Sequence, residues 1–276
     1  MDIVEKTVKE IKSIKIQGAQ QIAIAAIKAW DKAINKKNAA KKLVSARPTE
    51  PMLRNALRYL EKKHDAKKLL EKLEQDKQKI IKFAYKKVPA KGIIFTHCHS
   101  STVNDILIYA KNHGKKIEVN ATETRPFMQG HLTAQQLAAK RIPVTLFVDS
   151  AARLAMKKAD VMMIGADAIT SEGIVINKMG SELMADTAKH YQLPVYVCTH
   201  SWKFDPMTVF GFEEEIEKRA AKEIWNKPPR GVKISNYVFE KVDPSKITAI
   251  ISELGIFEPN AFVEEVRKNY KWMFKN

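Results

Sequence analysis

Apolar residues recur with one period up to about residue 90 and with another beyond it. In the first part, Ile16, Ala19, Ile22, Ala23, Ala26 and Trp30 fall near helical spacing and make a single apolar stripe. The segment Arg54 to Leu60 predicts the opening of another helix after Pro48 and Pro51. A long charged helix follows, with Leu69, Leu70, Leu73, Ile80, Ile81 and Ala84 turned inward, as far as about Lys87. Pro89-Ala90-Lys91-Gly92 then breaks the period. We therefore expect a helical N-terminal domain over 1–90 and a second domain over 91–276.

Past Gly92 the apolar residues come in short runs, at 92–96, 116–121, 143–148, 160–164 and 194–199. Runs of that length suit buried parallel strands. Segments with helical character separate them, at about 101–112, 132–140, 151–158 and 180–190. The alternation predicts an α/β architecture: a Rossmann-like parallel sheet with helices on both faces. Val232 to Ser235 and then Tyr237 to Phe239 are expected to continue the sheet. Pro244 is expected in the first turn of a following helix, with Gly255 at its end. The stretch 213–231, with Pro228-Pro229-Arg230-Gly231, suits a loop excursion.

Charge changes the picture in one region. The formal net charge is +17, and residues 1–90 carry 23 Lys+Arg against 10 Asp+Glu, so the excess belongs to the N-terminal third. Such a field attracts nucleic acid, acidic protein surfaces or phosphorylated metabolites. Lysines scattered along helices without interleaved aromatics read first as a solvated face. No apolar run approaches the roughly twenty residues of a membrane span, and no secretory leader opens the chain, so a cytoplasmic protein without a membrane partner is expected. Two cysteines, Cys98 and Cys198, are too few for a disulfide scaffold.

Two strings place reactive side chains where an open α/β sheet gathers ligands, at the carboxyl ends of its strands. Thr96-His97-Cys98-His99-Ser100 follows the run ending at Phe95, and Gly165-Ala166-Asp167 follows the run ending at Ile164. A thiol and a carboxyl on one sheet edge can form a proton-transfer pair. A helix start just beyond Cys98 is expected to lower its pKa. His97 and His99 flank Cys98 on extended chain and point to opposite faces, so no metal site is expected from them with Cys198. Asn177 and Lys178 stand just ahead of a helix start near Gly180, where exposed N–H groups bind phosphate. Arg125 and Lys203 are expected on the same edge and could share an anion pocket. No Walker sequence and no dinucleotide fingerprint is present, so no cofactor is expected.

Taken in order, these strings resemble the superfamily that joins the α, β and δ regulatory subunits of eukaryotic initiation factor 2B to two isomerases. Those isomerases act on methylthioribose 1-phosphate and ribose 1,5-bisphosphate. The resemblance runs from Gly18-Ala19 through Arg47-Pro48-Thr49, Cys98, Glu123-Thr124-Arg125-Pro126 with Gln129-Gly130, Gly165-Ala166-Asp167 and Asn177-Lys178, to Asn236-Tyr237-Val238-Phe239 and Ile247 to Ile251. It implies Cys98 and Asp167 as a catalytic pair. It implies substrate binding by Gly18, Ala19, Arg47, Ser100, Ser101, Thr102, Asn177, Lys178 and Lys203. One departure stands out: the isomerases carry Arg-Gly-Ala where this chain has Gln17-Gly18-Ala19. Gln17 cannot form a charged clamp on phosphate.

Two functions are therefore expected from the sequence. The first is an initiation factor 2B regulatory subunit, with initiation factor 2 subunits as partners and a pocket for a phosphorylated sugar or nucleotide. The alternative is an aldose–ketose isomerase of a ribose 1-phosphate-type sugar using Cys98 and Asp167. A general RNA-binding protein would require a strongly salt-dependent affinity. The resemblance also implies a homo-oligomer, dimeric or dimer-based. Val232, Ile234, Val238, Phe239, Ile247, Ile250 and Ile251 are read as apolar surface for it.

Overall fold

The computed structural model describes residues 2–213 and 216–274. Five helices precede the first strand: α1 (Ile3–Lys12), α2 (Ala19–Lys32), α3 (Lys36–Ala46), α4 (Pro51–Lys63) and α5 (Ala66–Tyr85). Their starts follow capping chemistry. Asp2, Asn35 and Asp65 accept the free N–H of Val4, Asn38 and Lys68, and Pro51 opens α4 where its missing N–H costs nothing. Ile22, Ala23, Ala26 and Trp30 form the buried stripe of α2, packed on α4.

Beyond them the chain alternates. Strands β1 (Lys91–Thr96), β2 (Lys116–Thr122), β3 (Val144–Phe147) and β4 (Val161–Ile164) are separated by α6 (Ser101–Asn112), α7 (Gln129–Ala139) and the short α8 (Ala152–Met156). A β5–β6 hairpin (Ala168–Ile169 and Val175–Lys178) and α9 (Ser181–His190) come next. They lead to β7 (Val195–Cys198), β8 (Phe239–Val242), β9 (Ala249–Ser252), β10 (Gly255–Phe257) and α10 (Pro259–Asn269).

Seven strands form one sheet in the order β10-β9-β7-β4-β1-β2-β3, parallel except for β10 against β9. Successive residues of its central strands enter two cores. Ile94, Met163, Cys198 and Ile251 pack under α5, α6 and α7, whereas Phe95, Met162, Val197 and Ile250 pack on the face that carries α8, α9 and α10. Both faces are therefore apolar, which is why these strands appear as unbroken runs in the sequence. The second of these cores continues without a break into the buried faces of α1 to α4. Among the described residues no helix is long and apolar enough to cross a membrane.

Three expectations for the C-terminal part fail. Residues 232–235 form no strand, and Tyr237 makes only an isolated bridge to Lys218. Phe239 opens β8, which pairs with β6 in a separate three-stranded antiparallel sheet, order β5-β6-β8. Pro244 to Gly255 is not a helix: Pro244 starts a single 3-10 turn (Pro244–Lys246), and the residues after it are β9. The β-branched Ile250 and Ile251 go one to each face of the sheet, which a strand satisfies and a surface helix does not. The apolar set read as an interface is accordingly consumed in part. Ile250 and Ile251 are fully buried, and Val238 and Ile247 nearly so, while Val232 remains exposed. The excursion at 213–231 contains one short 3-10 turn (Ala221–Glu223), and its residues 214–215 lie outside the described residues.

Candidate active site

The order of the sheet creates a switch point. From β1 the chain adds β2 and β3 on one side, then returns to place β4 on the other. Helical connections leave β1 and β4 in opposite directions, and a crevice opens between their carboxyl ends. Cys98 follows β1 and Asp167 follows β4, so the two stand on either side of that crevice. Both line one cavity of about 360 Å³. Gly18, Ala19, Arg47, Ser100, Ser101, Thr102, Asn177, Lys178 and Lys203 line it as well.

Cys98 is held in an unusual backbone conformation, with φ +68. Its N–H donates to Thr124 Oγ1 at 3.0 Å, and its carbonyl accepts the Thr133 hydroxyl at 2.9 Å. The thiol points to Gln129 Oε1 at 3.5 Å. The flanking histidines are tied elsewhere: His97 Nδ1 meets Thr122 Oγ1 at 2.6 Å and His99 Nδ1 meets Thr133 Oγ1 at 3.0 Å. His97 Nε2 donates to the Met179 carbonyl at 3.0 Å, bridging the Cys98 turn to the strand that carries Lys178. Burial pushes His97 down to about 4, so it spans the two turns as a neutral ring.

The expected lowering of the Cys98 pKa does not occur. Burial pushes the thiol up to about 11, against the pull of Lys178 and with Asp167 and Asp149 adding to the rise. Two residues intervene before α6 begins, and its cap is Ser100, whose Oγ accepts from Val103 N–H. Desolvation wins over the helix end. Cys98 therefore keeps its proton at neutral pH.

Lys178 is the most telling charge. It is buried, its ammonium lies 4.8 Å from the centre of the Phe239 ring, and among the described residues no carboxylate pairs with it. Lys203 spends one donor on the Ala166 carbonyl and likewise has no carboxylate partner among the described residues. Arg47 is bridged to Glu217 at 3.1 Å. A buried ammonium without a counter-charge is costly, and an anion in the cavity removes the cost.

Two helix starts add to the positive field. Gly18, with φ +80, begins α2 without any side-chain cap, and Ala19, Gln20 and Gln21 of its first turn line the cavity. Ser101 and Thr102, the first turn of α6, line it too. Free N–H groups from two helices thus surround the space where an anion would sit. The start of α9 does not serve this way, contrary to expectation: Glu182 N–H donates to Glu240 Oε1 at 2.9 Å, so a carboxylate already occupies that end.

Arg125 was expected in the same pocket and lies outside it. It is exposed, lines a neighbouring hollow of about 380 Å³, and its guanidinium donates to the Ile224 carbonyl at 3.4 Å. The string around it is a built turn. Asp149 accepts the N–H groups of Thr124 and Arg125 at 2.8 and 2.7 Å. At Gly130 a Cβ would come within 1.8 Å of the Thr122 carbonyl oxygen, so only glycine lets α7 approach β2 there.

Sequence reasoning missed three residues. Gln129 meets the thiol, and Arg219 returns from the 213–231 excursion to line the cavity, stacked 4.8 Å from the Phe127 ring. Glu50 lies behind the cavity wall: it is buried, its Oε1 has no hydrogen-bond partner, and burial together with the charge of Asp167 raises it to about 8. Cys198, by contrast, is core on the α5–α7 face, its thiol pushed up to about 12 by burial. The one group of described residues whose ligand atoms converge as if for a metal is Asp76, His200 and Glu253, away from this cavity.

The sequence model of the Initiation factor 2 subunit family matches residues 15–259. The ribose 1,5-bisphosphate isomerase of Thermococcus kodakarensis is 35% identical over 315 residues, covering 100% of this chain and 96% of that protein. A putative methylthioribose-1-phosphate isomerase of Methanocaldococcus jannaschii is 34% identical, covering 95% of this chain and 87% of its own length. Among solved structures, the translation initiation factor eIF-2B of Pyrococcus horikoshii superposes with a TM-score of 0.84 at 26% identity, covering 94% of this chain and 98% of that one.

Proposed function

The chain belongs to the initiation factor 2 subunit family, and within it we propose that it is a sugar-phosphate isomerase converting a ribose 1-phosphate-type aldose to the ketose. The curated relatives support this over the initiation-factor role, since those reported at 35% and 34% identity are named as isomerases. One observation carries the reading: a thiol that keeps its proton and a carboxyl share the wall of a cavity whose buried Lys178 lacks a counter-charge.

The chemistry needs those two groups. Opening the sugar ring places a proton on the ring oxygen. The shift to the ketose then moves one hydrogen from C2 to C1 and releases the proton of the C2 hydroxyl, which replaces the one the ring oxygen took up. Protons move within one molecule and its two neighbours, and no external oxidant is consumed. Cys98 has a proton to give, and Asp167 offers a carboxyl to receive and return one. The cations and helix starts hold the phosphate ends and keep the reacting carbons between the pair. With two helix starts and several cations around one small cavity, we read the substrate as a bisphosphate, ribose 1,5-bisphosphate, in preference to a sugar with one apolar end.

The test is purified protein with ribose 1,5-bisphosphate and, separately, methylthioribose 1-phosphate, the ketose identified directly. Cys98→Ser and Asp167→Asn should each lower turnover by about 10²–10⁴ while the sugar phosphate still binds. Absence of turnover with both sugars would overturn the isomerase reading. Recovery of initiation factor 2 subunits from native extract would then favour the other branch of the family.

A further inference from the structure

Glu50 has no part in the chemistry above, yet it is 3% exposed and stands directly behind it. It immediately precedes α4 without its side chain capping that helix, and its N–H donates to the Arg47 carbonyl at 3.3 Å, so the residue that faces the cavity and the residue behind it share one tight turn. Four charged groups from three parts of the chain bear on its carboxyl. Arg47 and Arg54 come from the α3–α4 turn and α4, Asp167 from the loop after β4, and Lys203 from the 3-10 turn (Ser201–Lys203) after β7. Arg54 is engaged with Asp205 at 3.0 Å, and Arg47 with Glu217. Glu50 Oε1 remains buried without a hydrogen-bond partner.

We propose that Glu50 is a positioning residue for the anion: its carboxyl holds a proton when a phosphate group occupies the cavity, and loss of that proton expels the anion. This rests on the isomerase reading only for the identity of the ligand; the linkage concerns any phosphate-like anion. The physical reason is charge balance. An ionised Glu50 would offset Arg47 and Lys203, the cations a phosphate needs, and would repel both Asp167 and the incoming anion. Burial makes the neutral acid the resting form near neutrality, consistent with its rise to about 8. An anion in the cavity raises Glu50 further, so binding takes up a proton. Affinity is then full below the free-protein value and declines as pH rises through it.

The probe is inorganic sulfate, whose charge does not change over this range, titrated into the wild-type chain by calorimetry. Between about pH 7 and about pH 9 its affinity should fall about fivefold to tenfold. Glu50→Gln, which keeps the shape and removes the ionisation, should bind sulfate as the wild type does near neutrality and hold that affinity to the alkaline limit. A flat wild-type profile, no sulfate binding at neutral pH, or an unchanged slope in Glu50→Gln would each overturn the proposal. If Glu50→Gln does not fold, binding heats of the wild type in two buffers of different ionisation enthalpy decide it: proton uptake near pH 8 supports it, and none refutes it. Sulfate binding requires no turnover. Failure here therefore leaves the isomerase reading standing, and an inactive protein leaves this linkage measurable.

Discussion

Two histidine-bearing strings end neighbouring parts of the same sheet edge, and they have opposite fates. His97 follows β1 beside Cys98; His200 follows β7 beside Ser201. Both rings are buried, and burial lowers the pKa of both. Around His200 the two carboxylates find partners inside the protein, while Nε2 of the ring makes no hydrogen bond. Asp76 Oδ2 lies 3.6 Å from Nε2 and Glu253 Oε1 lies 3.6 Å from Nδ1. Lys72 and Lys79 reach Asp76, while Glu253 accepts the Ser201 N–H, the Ser201 hydroxyl and the Tyr270 hydroxyl. With both carboxylates so engaged, the trio ties α5 to the chain after β7 and β9. Around His97 the ledger stays open: a buried lysine without a counter-charge, a thiol in a left-handed backbone, and two helix starts with free N–H groups. Depth of burial is alike in the two regions. What separates the two is whether the buried charge has its partner inside the protein.

The largest expected effect breaks the closed side. Glu253→Gln removes the charge that the Ser201, Tyr270 and His200 groups face, and leaves them arranged around a neutral amide. Disrupting a buried charged network costs about 3–5 kcal/mol, so the denaturant midpoint should drop markedly while sulfate affinity in the folded protein stays near wild type. A loss under about 1 kcal/mol would mean that the trio does not hold α5 to the sheet.

The open side should respond with the opposite sign. Lys178→Met fills similar space and removes the uncompensated ammonium. Replacing a buried charge by a packed apolar side chain is neutral or stabilising by about 1–4 kcal/mol. The same change removes a charge-assisted bond to the anion, worth about 1.5–3 kcal/mol. A rise in thermal midpoint together with a tenfold or greater loss of sulfate affinity is therefore expected. A variant less stable than wild type would show that Lys178 has internal compensation and that the contrast with His200 is false.

Much of this contrast was legible in the sequence, and the reasons are local. Strands β1, β4 and β7 show as apolar runs because both of their faces are covered, and Cys98 and Asp167 are found by counting past the ends of two of them. What failed depends on distant chain. Nothing near Cys98 announces that burial outweighs the helix start. Nothing near Gly180 announces that Glu240, far along the chain, closes the N-terminus of α9. Arg219, far along the chain from the strand ends, lines the cavity with no local signal for it in the sequence. Glu50 looks like an ordinary surface carboxylate until α4 is packed against the turn after β7. The misread at 244–255 has a different origin: Pro244 and Gly255 punctuate a strand pair as well as they would a helix, and only the β-branched Ile250 and Ile251 argued against one.

The smallest effect concerns the place where the chain departs from the isomerase pattern. Gln17 lines the cavity beside the uncapped start of α2, but its Nε2 donates at 3.0 Å to the carbonyl of Ile14. Ile14 itself sits at φ +62, an uncomfortable conformation for a β-branched residue, so this turn is held by few interactions. An arginine at position 17 could abandon that bond and extend a guanidinium towards the anion. Gln17 is exposed, so solvent and salt screen most of the added charge, and the gain should be about 1 kcal/mol, roughly fivefold in affinity. If the phosphate sits at the start of α2, Gln17→Arg lowers the KM for the sugar bisphosphate, leaves kcat as it was, and loses its advantage as salt is raised. A gain that survives high salt would point to a buried bidentate clamp. No change at low salt would place the anion at α6 alone, and the open side of the comparison would then have one helix start at work instead of two.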